Sequence, residues 1–173
     1  TGVGAANYTL TQPTSVTASI AAKLLTVSGA TVANKVYDGG VTATITSSGS
    51  LVGLADGDIV TILNSGTPAA SGTAVFADAN VGANRSVTIS GFTLTGAAAA
   101  NYGLLQPSNV TAAITPLALT VTGTTVAAKV YDGSTAATIT AAGTLVGILG
   151  SDAVSILNSN TPALSGTATF GGA

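Results

Sequence analysis

Six aspartates, three lysines, one arginine and four tyrosines carry nearly all the ionisable chemistry of this 173-residue chain, which has no Glu, His, Cys, Met or Trp. A serine nucleophile would find no imidazole to serve as its base. Thiolate and imidazole metal sites are excluded by composition. Two constellations remain. Asp56-Gly57-Asp58 could offer oxygens to calcium, which needs six to eight of them. Lys35 and Asn101 could condense, with loss of ammonia, to an isopeptide bond, given an assisting acid such as Asp38, Asp58 or Asp78. The competing reading is that Lys35 simply pairs with a nearby carboxylate. The carboxylate pairs lie in turns, so the chain is expected to be no enzyme and to need no cofactor.

These residues must be placed on a repeat. The pentapeptide Lys35-Val36-Tyr37-Asp38-Gly39 returns 94 residues later as Lys129-Val130-Tyr131-Asp132-Gly133. At that offset 44 of the 73 pairs between residues 7–79 and 101–173 are identical without a gap, so the two stretches are copies of one module. Three segments follow: 1–22 matches the closing strands of a module, 23–116 is a complete unit, and 117–173 is the first part of the next. A 94-residue period is too long for a solenoid turn and suits a small domain with its own core. The copies also weigh the candidates. Asp56-Gly57-Asp58 becomes Gly150-Ser151-Asp152, which favours a turn over a metal loop. Tyr37-Asp38-Gly39 and Tyr131-Asp132-Gly133 read as turns in which Asp accepts backbone N–H groups and Gly supplies positive φ. Tyr37/Tyr131 and Asn64/Asn158 are the paired residues that could form a repeated recognition surface.

Charged residues make up 6% of the chain, against roughly 25% in ordinary soluble domains. With four basic residues and a net charge of −2 there is no footprint for nucleic acid. No apolar run reaches the roughly 18 residues of a membrane span. The hydrophobic content is 46%, mostly Ala and Val, which argues against disorder. Without Cys, stability must come from hydrogen bonding and packing.

Apolar residues alternate with Thr and Ser, as in Val41 to Thr46 and Val87 to Ser90, and Gly-containing turns punctuate these runs. The pattern predicts strands near 24–28, 31–36, 41–47, 50–53, 58–63, 71–77, 85–90, 92–95, 101–105 and 109–115. Ala97–Ala100 is expected to be a loop, with a turn of helix at most. The fold class is therefore all-β: tandem Ig-like β-sandwich modules with a 94-residue repeat. Thr115-Pro116-Leu117 leaves almost no linker, so consecutive units should form a semi-rigid rod. Thr42, Thr44 and Thr46 suggest an ice-binding array, but a twisted sheet lacks the flat ladder this needs. Asn84-Arg85-Ser86 and Asn7-Tyr8-Thr9 fit the N-glycosylation pattern.

Lys-Val-Tyr-Asp-Gly followed by Thr-Ala-Thr-Ile-Thr resembles the YDG repeat domain. So do Phe76-Ala77-Asp78-Ala79-Asn80-Val81-Gly82, Val87 to Gly91, Ala100-Asn101-Tyr102 and Ile114-Thr115-Pro116. Phe170-Gly171-Gly172 departs from the Phe-Ala-Asp part of that pattern. The domain occurs in tandem in very large exported bacterial proteins, including filamentous-haemagglutinin-like adhesins. The resemblance implies an extracellular, surface-attached or matrix protein and transfers no catalytic residue. The expected role is structural, as a stalk, fibre or filament. The alternative is an adhesive module that presents repeat loops to a glycan or host protein. Expected partners are neighbouring repeats or identical subunits, through strand pairing. Residues 1–22 offer the complement that 95–116 supplies within the complete unit, although the equivalents of Asn80–Leu94 would stay unfilled.

Overall fold

The computed structural model describes residues 2–63, 71–157 and 166–171. Among the described residues the complete unit contains twelve strands: β1 (Lys23–Ser28), β2 (Thr31–Val32), β3 (Lys35–Val36), β4 (Thr42–Ala43), β5 (Ile45–Ser47), β6 (Ser50–Val52), β7 (Thr61–Ile62), β8 (Thr73–Phe76), β9 (Gly82–Ser90), β10 (Leu94–Thr95), β11 (Tyr102–Leu104) and β12 (Val110–Thr115). A five-stranded sheet runs β3-β12-β9-β8-β4, and a three-stranded one runs β11-β1-β6. The pairs β2-β5 and β10-β7 are separate two-stranded ladders. The all-β expectation holds, and the sheets wrap into a nearly closed, barrel-like wall.

Two corners produce that wrapping. The run expected as one strand over 31–36 breaks at Ala33-Asn34, where the chain leaves β5 and joins β12. Asn34 Oδ1 fastens this corner by accepting the Ala113 N–H at 2.8 Å. The run over 41–47 breaks at Thr44, so that β4 lies on β8 while β5 lies on β2. Alternation alone cannot show such breaks, because both halves keep the same period-two pattern.

The wall is closed by two parallel pairings, in which the last strands of the unit meet its first. β11 lies on β1 with Lys23 opposite Tyr102 and Leu25 opposite Leu104. β12 lies on β3 with Ile114 opposite Lys35 and Thr115 opposite Val36. Inward residues of the five-stranded sheet make the main core: Ala74, Phe76, Val87, Ile89, Val110, Ala112 and Ile114, with Ile45, Ile62 and Phe92. A second cluster of Leu25, Val60 and Tyr102 fills the end where β11 meets β1. Gly49, at φ +76°, turns β5 into β6 so tightly that a Cβ there would run into the Ser28 carbonyl.

Every buried residue among those described lies in 23–116. Before it, residues 2–22 are exposed, and their only regular element among the described residues is a 3-10 turn at Ala5–Asn7. A matching 3-10 turn forms at Ala99–Asn101, where a loop was expected. After the complete unit come β13 (Thr120–Thr122), β14 (Thr125–Val126), β15 (Ala136–Ala137), β16 (Ile139–Ala141), β17 (Thr144–Val146) and β18 (Ala168–Thr169). They pair β13-β17, β14-β16 and β15-β18, as their equivalents do in the complete unit. No side chain described there is buried.

Candidate functional site: the lysine–aspartate turn and the unit junction

The repeated pentapeptide builds a compact polar turn. Gly39 takes φ +75° and bends the chain back on itself. Asp38 Oδ1 then accepts the Gly40 N–H at 2.8 Å and the Lys35 ammonium at 2.6 Å. Lys35 Nζ also donates to the carbonyls of Gly40, at 2.8 Å, and Thr42, at 3.3 Å. Its charge sits 5.7 Å from the centre of the Phe76 ring, so the lysine stem covers the edge of the main core. The second copy repeats this arrangement. Lys129 Nζ donates to Asp132 Oδ1 and to the Ser134 carbonyl, both at 2.7 Å, and lies 5.9 Å from the Phe170 ring. The lysine bond, followed by the backbone N–H at the turn, holds Asp38 and Asp132 below the usual carboxylate range.

The expected isopeptide residues are not brought together. Lys35 is in β3, within the five-stranded sheet, while Asn101, itself exposed, ends the 3-10 turn before β11, in the three-stranded sheet. Asp78 accepts the Asn80 N–H at 2.8 Å and pairs with Arg85 at 3.2 Å. The physical reason is local. Asp38, three residues from Lys35, takes its ammonium at 2.6 Å, and the Gly40 and Thr42 carbonyls accept from it as well. Arg85 further donates to the carbonyls of Asn80 and Val81, both at 2.9 Å, and so shapes the Asp78-to-Gly82 turn into β9.

In the loop weighed for calcium, the two aspartates differ. Asp58 accepts the hydroxyl proton of Tyr102, and that hydroxyl in turn accepts the Ala55 N–H at 3.0 Å. The Asp58 bond raises the pKa of Tyr102. Among the described residues no group of three or more Asp, Glu, His or Cys is placed to hold a metal ion. Sequence reasoning missed this Tyr102–Asp58 bond. The available signal was that Asp58 and Tyr102 keep their types at Asp152 and Tyr8, whereas Asp56 becomes Gly150. Gln106 was missed too: its amide pairs with both the N–H and the carbonyl of Phe92, at 2.9 and 3.0 Å.

Tyr37 is half-buried at the junction between units. Its backbone N–H donates to the Thr115 carbonyl at 2.8 Å, next to Pro116. Its hydroxyl donates to Asp152 Oδ2 of the following unit at 2.8 Å. That bond raises the tyrosine pKa. Tyr131, its copy, is 79% exposed, and Val130 beside it 89%. Asn64 and Asn158 lie outside the described residues.

Tandem β-units marked by this turn, the first closed by its own last strands, define a repeat-domain protein. The YDG domain family matches residues 21–111 and again 115–173, and the chain belongs to that family. Neither a comparison with curated proteins nor one with solved structures gives a match.

Proposed function

We propose that the chain is a structural segment of an exported bacterial surface protein, in which YDG units in series make a stalk, fibre or filament. One observation carries the reading. β12 of the first unit ends at Thr115 and β13 of the next begins at Thr120, and the stretch between them starts with Pro116. Tyr37 is hydrogen-bonded to Thr115 beside this connection, so the end of one unit is fastened where the next begins. A short proline-containing connection restricts bending. The low charge and the Thr-rich outer faces suit a chain that spaces other parts of a protein, and the absence of Cys and Met suits long exposure to oxidants. The bacterial surface setting rests on the family resemblance described above.

The test is electron microscopy of purified arrays with increasing numbers of units. Straight rods that lengthen by a constant increment per unit are expected. Arrays that coil with no fixed increment would overturn the reading. A shared glycan ligand in an array screen, lost on substitution of Tyr131, would favour the adhesive alternative.

A further inference from the structure

Tension on units joined in series enters the complete unit at Lys23, where β1 starts, and leaves at Thr115, where β12 ends. Both strands are paired in parallel, β1 with β11 and β12 with β3. The direction of pairing decides how a ladder meets that tension. The start of one strand and the end of its parallel partner lie at opposite ends of the ladder. Pulling those two points apart slides the strands along each other, so the cross-strand bonds share the load and fail together. In an antiparallel pair the same two points lie at one end, and the ladder unzips bond by bond.

The β3-β12 pair is fastened beyond its ladder, in which Ile114 lies opposite Lys35 and Thr115 opposite Val36. Past the end of β3, the Tyr37 N–H donates to the Thr115 carbonyl at 2.8 Å. The Thr115 hydroxyl donates to the Lys35 carbonyl at 3.3 Å. Before the start of β3, the register of β12 on β9 shifts between Ala112 and Ile114, and the Ala113 N–H goes to Asn34 Oδ1 instead, at 2.8 Å. Side-chain bonds therefore tie β3 to β12 at both ends of a short ladder. β3 is itself held, because the Lys35 ammonium is bonded to Asp38 and to the Gly40 and Thr42 carbonyls. β12 lies inside the five-stranded sheet, with Ile114 buried in the main core. All these groups belong to the complete unit.

We propose that β3 and β12 form a mechanical clamp, a shear joint that sets the force at which a unit opens under tension along the chain. Tension reaches β1 first. Once β1 leaves β11 and β6, the pull passes through β2 to the start of β3, and the unit cannot run out until β3 slides off β12. This role goes beyond the rod reading, and either can fail alone. Microscopy tests the shape of arrays at rest, whereas pulling tests the joint. Straight rods can open at low force, and arrays that coil can still hold a strong joint in every unit.

The experiment is single-molecule force spectroscopy of the 173-residue chain. It has no cysteine, so pairs of introduced cysteines fix the pulling points. Ala22→Cys with Ala118→Cys loads the complete unit from end to end. Thr73→Cys with Ser90→Cys pulls on two residues that face each other at the open end of β8 and β9, and unzips that antiparallel pair. All four positions are exposed. Forced opening reports the unfolding rate, and the end-to-end pair is expected to need about twofold or more the force of the unzipping pair. Residues Lys35 to Thr115 should then run out over roughly 270–290 Å at full extension. At constant force, Asn34→Ala is expected to speed end-to-end opening about two- to tenfold, as for one lost hydrogen bond, and to leave unzipping unchanged. The following copy carries Ala128 at that position between the same neighbours, so the substitution is one the module accepts. Equal forces in the two pulling directions overturn the clamp. So does an Asn34→Ala chain whose end-to-end opening is unchanged, or one that opens faster to the same degree in both directions.

Discussion

Ile114 and Ile20 occupy the same position in two copies of one sequence, and the structure gives them opposite fates. Ile114 is 1% exposed in the main core, while Ile20 is 101% exposed. Ile114→Ala removes buried methyl and methylene groups from between β3 and β9 and leaves a void. Such changes cost about 2–5 kcal/mol. Against a stability of about 5–15 kcal/mol for a small domain, this is a large share. With a urea dependence of about 1–3 kcal/mol per molar, the midpoint should fall by about 1–3 M at unchanged slope. Ile20→Ala removes the same atoms from water and should change stability by no more than about 0.5 kcal/mol. The assay is urea unfolding of the 173-residue chain and both variants, at protein concentrations low enough to keep copies apart. Equal losses in the two variants would refute the reasoning, because they would require the arm to pack as tightly as β12 does.

The lysine–aspartate turn gives a pH prediction. Asp38 is held below its ordinary value, so its contribution is fully present above the unfolded carboxylate pKa of about 3.9 and is lost as pH falls through the lowered folded value. Carboxyl NMR should show Asp38 titrating below the usual range, and Lys35→Gln should bring it back up; an Asp38 that titrates normally in the unsubstituted chain would contradict the geometry. The glycines separate strain from collision. Gly39 has φ +75° with open space at its Cβ, and Gly39→Ala should cost about 1–2 kcal/mol in thermal unfolding. Gly49, at φ +76° with Ser28 and Ala30 backbone in the way, should cost clearly more as Gly49→Ala.

The repeat allows local and distant causes to be compared on matched peptides. The Lys–Asp turn forms in both copies, with Lys35–Asp38 at 2.6 Å and Lys129–Asp132 at 2.7 Å, although only the first lies in a complete unit. The 3-10 turn forms alike at Ala5–Asn7 and Ala99–Asn101, one in water and one beside a core. These features close over a few residues, at small entropic cost, and so they follow from sequence alone. The alternation that marks β8 and β12 is local in the same sense. For that reason the all-β class and the approximate strand positions were legible.

Strand β3 is different. Lys35–Val36 pairs with Ile114–Thr115, nearly a whole unit away, while its copy Lys129–Val130 forms no strand. The partners of the two tyrosines follow the same rule: Tyr102 meets Asp58 because β11 folds onto β1, and Tyr8, with the same neighbours in sequence, meets no core. Lys35 and Asn101 were paired on early-strand and late-strand placement, which does not say that β3 and β11 enter different sheets. Sequence determined the module, its period, its turns and its alternating faces. The tertiary structure decided the parallel closure of last strands on first, the corners at Asn34 and Thr44, and which copy of each apolar residue is buried, because these depend on partners far along the chain that no local pattern encodes.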